Sequence, residues 1–270
     1  MSNFEFRKDS ANREWVIIAP KRSKRPDVAR DLPPVCPFCY GHEDLTPKEV
    51  FRLGGGQANK PGWEIRVVPN KFPFAPIHEL VIHSPDHTES FFTYSVKQVE
   101  KIFTVYRKRY LEHEKKGQIF IFHNHGREGA ESLPHSHTQL TVVPSEVFLR
   151  IPVLGSIENL VRETKHFSVF CPPSSRWPYE VWLAPKERGN FFGGANREAL
   201  AELSRLFSSV LKKLEKHINP DFPFNFYIHQ GPDWYLRIIP RIKVLGGFEL
   251  GTQVFVNTVD PASVARKLRN

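Results

Sequence analysis

The chain has 270 residues, 40% hydrophobic and 25% charged, the proportions of a globular protein with one large core or two smaller units sharing one. A net charge of +9 favours anionic partners, whether nucleotide, sugar phosphate or nucleic acid, without choosing among them. No apolar run approaches the ~20 residues needed to cross a bilayer, the N-terminus lacks a signal peptide's apolar region, and three cysteines make no disulfide framework; a cytoplasmic protein with no membrane partner is expected.

In chain order, an apolar patch from Trp15 to Ala19 precedes Pro20 and the basic cluster Lys21-Arg22-Ser23-Lys24-Arg25-Pro26. Alone, that cluster reads as a solvated loop or a weak nucleic-acid patch; its other use is to grip phosphate through the arginine fork. Cys36-Pro37-Phe38-Cys39 follows, a tight turn offering two thiols: half of a tetrahedral metal site, or a redox pair. A glycine-rich linker, Gly54 to Gly62, leads to predicted strands at Ile65–Val68 and Glu79–His83 and then to Ser84-Pro85-Asp86-His87. A helix should start after Ser95, with Gln98 completing a capping box and Val96, Val99, Ile102, Phe103, Tyr106 and Tyr110 as its apolar stripe. A strand at Gln118–Phe122 leads through Asn124-His125-Gly126 to Ser132-Leu133-Pro134-His135-Ser136-His137-Thr138-Gln139-Leu140. If this last stretch is a strand throughout, His135, His137 and Gln139 project side by side from one face. An imidazole there can be metal ligand or nucleophile, and a lone His-x-His is equally well read as polar residues on a solvent face.

The second half repeats the order. Predicted strands at Phe167–Cys171 and Tyr179–Ala184 precede Pro185-Lys186-Glu187 and a helix with Leu200, Leu203, Leu206, Phe207, Val210, Leu211 and Leu214 on one face. Strands at Phe224–Ile228 and Tyr235–Ile239 complete it. The expected fold is α+β: two duplicated modules, 1–150 and 151–270, of mainly antiparallel sheet with flanking helices. The duplication is lopsided. Glu187 stands where the first copy has His87, and Asp233-Trp234-Tyr235-Leu236-Arg237 replaces the His-x-His-x-Gln stretch, so the chemical groups concentrate in the first copy, which carries the zinc site and nucleophile in the reading below.

Taken together, the basic run ending at Pro26, Cys36-x-x-Cys39, Ser84-Pro85-Asp86-His87, Asn124-x-Gly126, Ser132-x-Pro134-His135-x-His137-x-Gln139, Lys243 and Gly247-Phe248-Glu249 resemble the galactose-1-phosphate uridylyltransferases of the histidine-triad superfamily. The likeness covers nearly the whole chain. One departure is Ser136, where the family usually has proline between the histidines.

The resemblance implies a nucleotidyltransferase built from histidine-triad-like modules, the second degenerate. Cys36, Cys39, His87 and His135 would hold one structural zinc per chain, a closed set with no open position. No second metal is expected in the C-terminal repeat, where the paired histidines before Pro240 are missing; His229 and Cys171 receive no role. His137 would attack the α-phosphorus of a nucleotide sugar, and Gln139 would donate a hydrogen bond to the phosphoryl oxygen. An amide cannot protonate a leaving group, so the leaving group must already be a stable anion such as a phosphate. Ser132, Arg22 and Arg25 would hold the diphosphate, Asn70 and Asn124 the nucleoside and phosphate, and Lys243, Phe248 and Glu249 the hexose, from the neighbouring subunit of a homodimer with composite sites. The implied reaction is ping-pong exchange of hexose 1-phosphates on UDP-glucose. Alternatives are an ADP-glucose or dinucleoside polyphosphate phosphorylase and, in another class, a zinc-containing nucleic-acid-binding protein. The last is disfavoured because the aromatic residues follow core patterns and do not interleave with the basic cluster.

Overall fold

The computed structural model describes residues 4–12, 14–26 and 35–270. A hairpin comes first: β1 (Glu5–Lys8) pairs antiparallel with β2 (Trp15–Ile18). The apolar patch at Trp15 is therefore a strand, with Trp15 and Ile17 on the side that meets the body of the protein beside Phe6.

Two sets of five strands follow. The first comprises β3 (Phe51–Gly54), β4 (Trp63–Pro69), β5 (Ile77–Ile82), β6 (Gln118–His125) and β7 (His137–Val143), in the spatial order β3-β4-β5-β7-β6. The second comprises β8 (Leu160–Glu163), β9 (Phe167–Phe170), β10 (Val181–Pro185), β11 (Phe224–Ile228) and β12 (Leu236–Pro240), in the matching order β8-β9-β10-β12-β11 from its outer edge. Strands β6 and β11 pair from His125↔Phe224 to Ile121↔Ile228, which fuses the halves into one ten-stranded antiparallel sheet. The repeat in the sequence is thus a repeat of strand order.

Helix α1 (Val96–His113) begins at Ser95, whose side chain accepts from the Gln98 backbone N–H at 3.2 Å. The expected capping box is only half made. The Gln98 side chain donates instead to the His83 carbonyl at 2.6 Å, tying the helix start to the end of β5. Helix α2 (Arg197–His217) is capped by Asn196, and α4 (Pro261–Arg269) by Asp260; the short α3 (Gly247–Thr252) lies between them. The apolar stripes of α1 and α2 cover one face of the sheet, burying Ile102, Phe103, Leu203, Phe207 and Leu211 against Val81, Leu140, Val142, Phe226 and Ile238. Each such fully buried side chain contributes roughly 1.5–3 kcal/mol. That layer anchors the sheet, and the opposite face of the first half carries the candidate site residues His137 and Gln139.

Candidate active site and metal centre

Strand β7 is central and covered on both sides, so every residue in it is buried. Leu140 and Val142 point into the helix-side core, which by the two-residue period sends His137 and Gln139 to the other face. His135 precedes the strand, and its ring turns away toward the Cys-x-x-Cys turn. His135, His137 and Gln139 therefore do not share one pocket as an unbroken strand would place them. One bend sends the two imidazoles to different partners.

The Nδ1 atom of His135 lies 3.7 Å from the Sγ atoms of both Cys36 and Cys39, and the Nδ1 atom of His87 lies 3.3 Å from the Sγ of Cys39. All four ligand atoms fall within 4.8 Å of one another. Ordinary Zn–S and Zn–N bond lengths around a tetrahedron put neighbouring ligand atoms about 3.5 Å apart, so the set fits that ion. The Nε2–H of His135 donates to the Ser84 carbonyl at 2.8 Å, leaving Nδ1 as the free lone pair. Burial, with the adjacent Cys39, pushes the Cys36 thiol up to about 11; a cation would reverse that. The four residues could hold a metal, and two thiolates with two imidazoles are consistent with zinc.

The neighbouring imidazole is set up differently. A carbonyl can only accept, so His137 donates Nδ1–H to the His135 oxygen at 2.9 Å, and its Nε2 carries the lone pair. Burial, opposed by that hydrogen bond, lowers its pKa to about 4, and Arg25 adds to the fall, so the ring is neutral at pH 7. The ring is 5% exposed and meets Phe38 edge-on, with centroids 5.2 Å apart. Phe38 sits between the two cysteines, so the metal turn is also the cover over His137.

Phe38 in turn lines a cavity of about 300 Å³ with Lys24, Arg25, Asn70, Lys71, Phe72, Ser132 and Gln139, and with Val35, Pro37, Leu45, Pro47 and Val68 as apolar walls; His137 itself is not among the lining residues. Gln139, Ser132, Arg25 and Asn70 are brought together here. Lys24 and Lys71 join them; sequence reading passed over both because lysines in a basic run or a turn carry no pattern. His78 was also missed. Its Nε2 lies 2.9 Å from the Gln139 Oε1 and 3.1 Å from the Asn70 Nδ2, and burial drives its pKa down to about 3.

Other expected residues sit elsewhere. Arg22 does not line the cavity: it donates to the Phe72 carbonyl at 2.5 Å and lies over the Phe74 ring, bracing the turn that carries Asn70. Asn124 bonds Asn225 and the Ala130 carbonyl, joining β6 to β11. Lys243 and Glu249 pair with each other, Glu249 also accepts from the Gly246 N–H, and Phe248 is 58% exposed; none of the three lines the cavity of its own chain. In the second half Arg237 forms a two-armed, buried ion pair with Glu180, at 2.8 Å on each arm.

Comparison with known proteins bears on this geometry. The sequence profile of the family described as galactose-1-phosphate uridyl transferase, N-terminal domain, matches residues 77–143, the segment that holds β5, α1, β6 and β7. The chain is 27% identical to a galactose-1-phosphate uridylyltransferase of Thermotoga maritima over 98% of both chains. Over residues 77–143 the chain resembles the galactose-1-phosphate uridylyltransferase family. It is also 28% identical to an ADP-glucose phosphorylase of Arabidopsis thaliana, over 98% of this chain and 92% of that protein. The crystal structure of that Arabidopsis phosphorylase with bound ADP-glucose superposes with a TM-score of 0.76, at 27% identity and 99% coverage of both chains. The chain is thus similar over nearly its whole length to nucleotidyltransferases and shares the fold of one of them.

Proposed function

We propose that the chain transfers a nucleoside monophosphate between phosphates by way of His137. The observation that carries this reading is the fixed tautomer of a buried, neutral imidazole packed on Phe38, a residue that lines the cavity with Lys24, Arg25 and Lys71. Nε2 of His137 would attack the α-phosphorus of a nucleotide sugar, forming the N–P bond as the bond to the bridging oxygen breaks. The sugar 1-phosphate leaves with that electron pair and needs no proton. Charge gained by the ring is shared through Nδ1–H with the His135 carbonyl, a donor–acceptor pair already in place. Gln139, Lys24, Arg25 and Ser132 would hold the phosphoryl oxygens, and a second phosphate would take the nucleotide in the reverse step. Zinc, held by Cys36, Cys39, His87 and His135, would supply structure only: it pins the Phe38 turn beside the nucleophile.

For the substrate, the first reading is exchange between UDP-glucose and a hexose 1-phosphate. It is supported by the uridylyltransferase relative and by the exposed apolar residues Val244, Phe248, Leu250, Val254 and Val256, which suit a homodimer that lends this segment to its partner's site. A second reading, phosphorolysis of ADP-glucose, draws on a specific feature: Glu249, the expected hexose ligand, is already bonded to Lys243 and Gly246. The Arabidopsis relative binds ADP-glucose, which suits it as well. Incubation with UDP-glucose or ADP-glucose, each with galactose 1-phosphate or inorganic phosphate, separates the two. Release of glucose 1-phosphate from only one donor decides the base; loss of turnover without galactose 1-phosphate decides the acceptor.

A further inference from the structure

The residues that alternate with the functional ones also have a place. Ser136 and Thr138 point to the helix side of the sheet, where apolar side chains would be expected, and both bind one buried histidine. The Ser136 hydroxyl lies 2.9 Å from His83 Nδ1, and the Thr138 hydroxyl 2.9 Å from His83 Nε2. Tyr106, from α1, completes the group at 2.9 Å from the same Nε2 and donates to Thr138 Oγ1 at 2.5 Å. From β6, His123 donates Nδ1–H to the carbonyl of His137 itself at 2.8 Å. Hydroxyl partners on both ring nitrogens satisfy either neutral tautomer of His83. Around this polar island lie Phe91, Phe207 and Phe226, and His83, Thr138, Tyr106 and His123 are at most 1% exposed.

A polar cluster inside an apolar core is a poor stabiliser, since well-packed apolar residues of the same volume are often neutral or better. What it does supply is direction. We propose that His83, Ser136, Thr138, Tyr106 and His123 are positioning residues for the nucleophile. They hold the His137 backbone on both flanks and at its own carbonyl, so that Nδ1 stays on the His135 oxygen and Nε2 stays aimed at phosphorus. Ser136 takes part only because it is not proline: its hydroxyl gives His83 a partner that a proline ring cannot. The inference rests on His137 as nucleophile for its kinetic consequence, while the geometric consequence stands without it.

Thr138→Val keeps shape and removes the hydroxyl; Thr138→Ser keeps the hydroxyl. Valine is expected to lower kcat about 10- to 100-fold, the scale for slight misplacement of a reacting group, with KM within about threefold and the melting temperature and bound zinc unchanged. Serine should recover most of the rate. Imidazole ¹⁵N shifts of His137 provide a readout that needs no turnover: one tautomer in the parent and in Thr138→Ser, a mixture in Thr138→Val. A valine variant with the parental kcat, or equal impairment of both variants, overturns the proposal. So does an unmixed tautomer in Thr138→Val. If the parent accepts no nucleotide, the proposed reaction fails, and the tautomer result alone decides the positioning claim.

Discussion

Two histidines one residue apart, chemically identical, have their ring nitrogens assigned in opposite senses. His135 gives its Nε2–H to Ser84 and turns its Nδ1 lone pair to the thiols; His137 gives its Nδ1–H to His135 and leaves its lone pair on Nε2. That division makes testable statements. His137→Ala should remove turnover by about four orders of magnitude or more, as loss of a covalent nucleophile does. Gln139→Ala should lower kcat by about 10²-fold, the cost of one donor to the reacting oxygen, with a smaller change in KM. Other buried rings make stability depend on acid. Burial holds His78, His83 and His123 below the usual histidine value, so they are neutral in the folded state while the unfolded chain takes up protons below about pH 6.5. Their contribution is therefore complete above that pH and falls as pH drops below it, for His78 down to about 3 at roughly 1.4 kcal/mol per pH unit, with His83 and His123 acting in the same direction. Denaturant melts at pH 7.5 and pH 5 should show a clear fall; equal midpoints would contradict the assignment. Part of this scale was legible: side-chain chemistry singled out Cys36, Cys39, His87 and His135, which the fold brings together, and marked His137 as the candidate nucleophile. His78 and His83 were not, since a histidine read alone gives no clue to its partners.

Elements carry the next layer. The Cys36–Cys39 turn has little regular structure of its own, and its Phe38 packs with Val68, Leu80, Ile82 and Leu133 on the active face. A metal holding that turn to His135 would fix the cover over His137. Chelation is thus expected to release about one zinc per chain, with loss of activity and several degrees of thermal stability together. Full activity in metal-free protein would contradict it. At this scale the sequence was a good guide wherever a pattern was long. α1, α2 and the central strands fell within a few residues of their predicted places. Strands β3 and β8 went unread because Phe51–Gly54 and Leu160–Glu163 are four-residue edge strands without alternation. The bend before β7 was unreadable for another reason: it is imposed by the cluster around His135, which lies far away in sequence.

Across the whole molecule, one sheet carries two halves of the same strand order, and the candidate site residues His137 and Gln139 lie in the first. Where the first half has His137, the second has the Arg237–Glu180 pair, with Trp182 stacked on Tyr235 at 4.0 Å. Arg237→Leu leaves Glu180 buried and unpaired and should cost about 3–5 kcal/mol, while nucleotide transfer at permissive temperature is retained. If the exposed segment from Val244 to Val256 serves a partner subunit, mixing inactive His137→Ala with inactive Phe248→Ala should restore up to about a quarter of parental activity through mixed dimers. No recovery would remove the shared site. The lopsidedness itself was plain in the sequence; which distant residues meet was not, because a sheet of non-local pairings is written in no single stretch. The central claim is that one imidazole carries the nucleotide. Its most direct test is mass spectrometry of the protein after brief exposure to UDP-glucose or ADP-glucose, followed by peptide mapping. A nucleoside monophosphate adduct on His137, discharged by galactose 1-phosphate or phosphate, is the expected result. Turnover without any adduct, or an adduct confined to another residue, would contradict it.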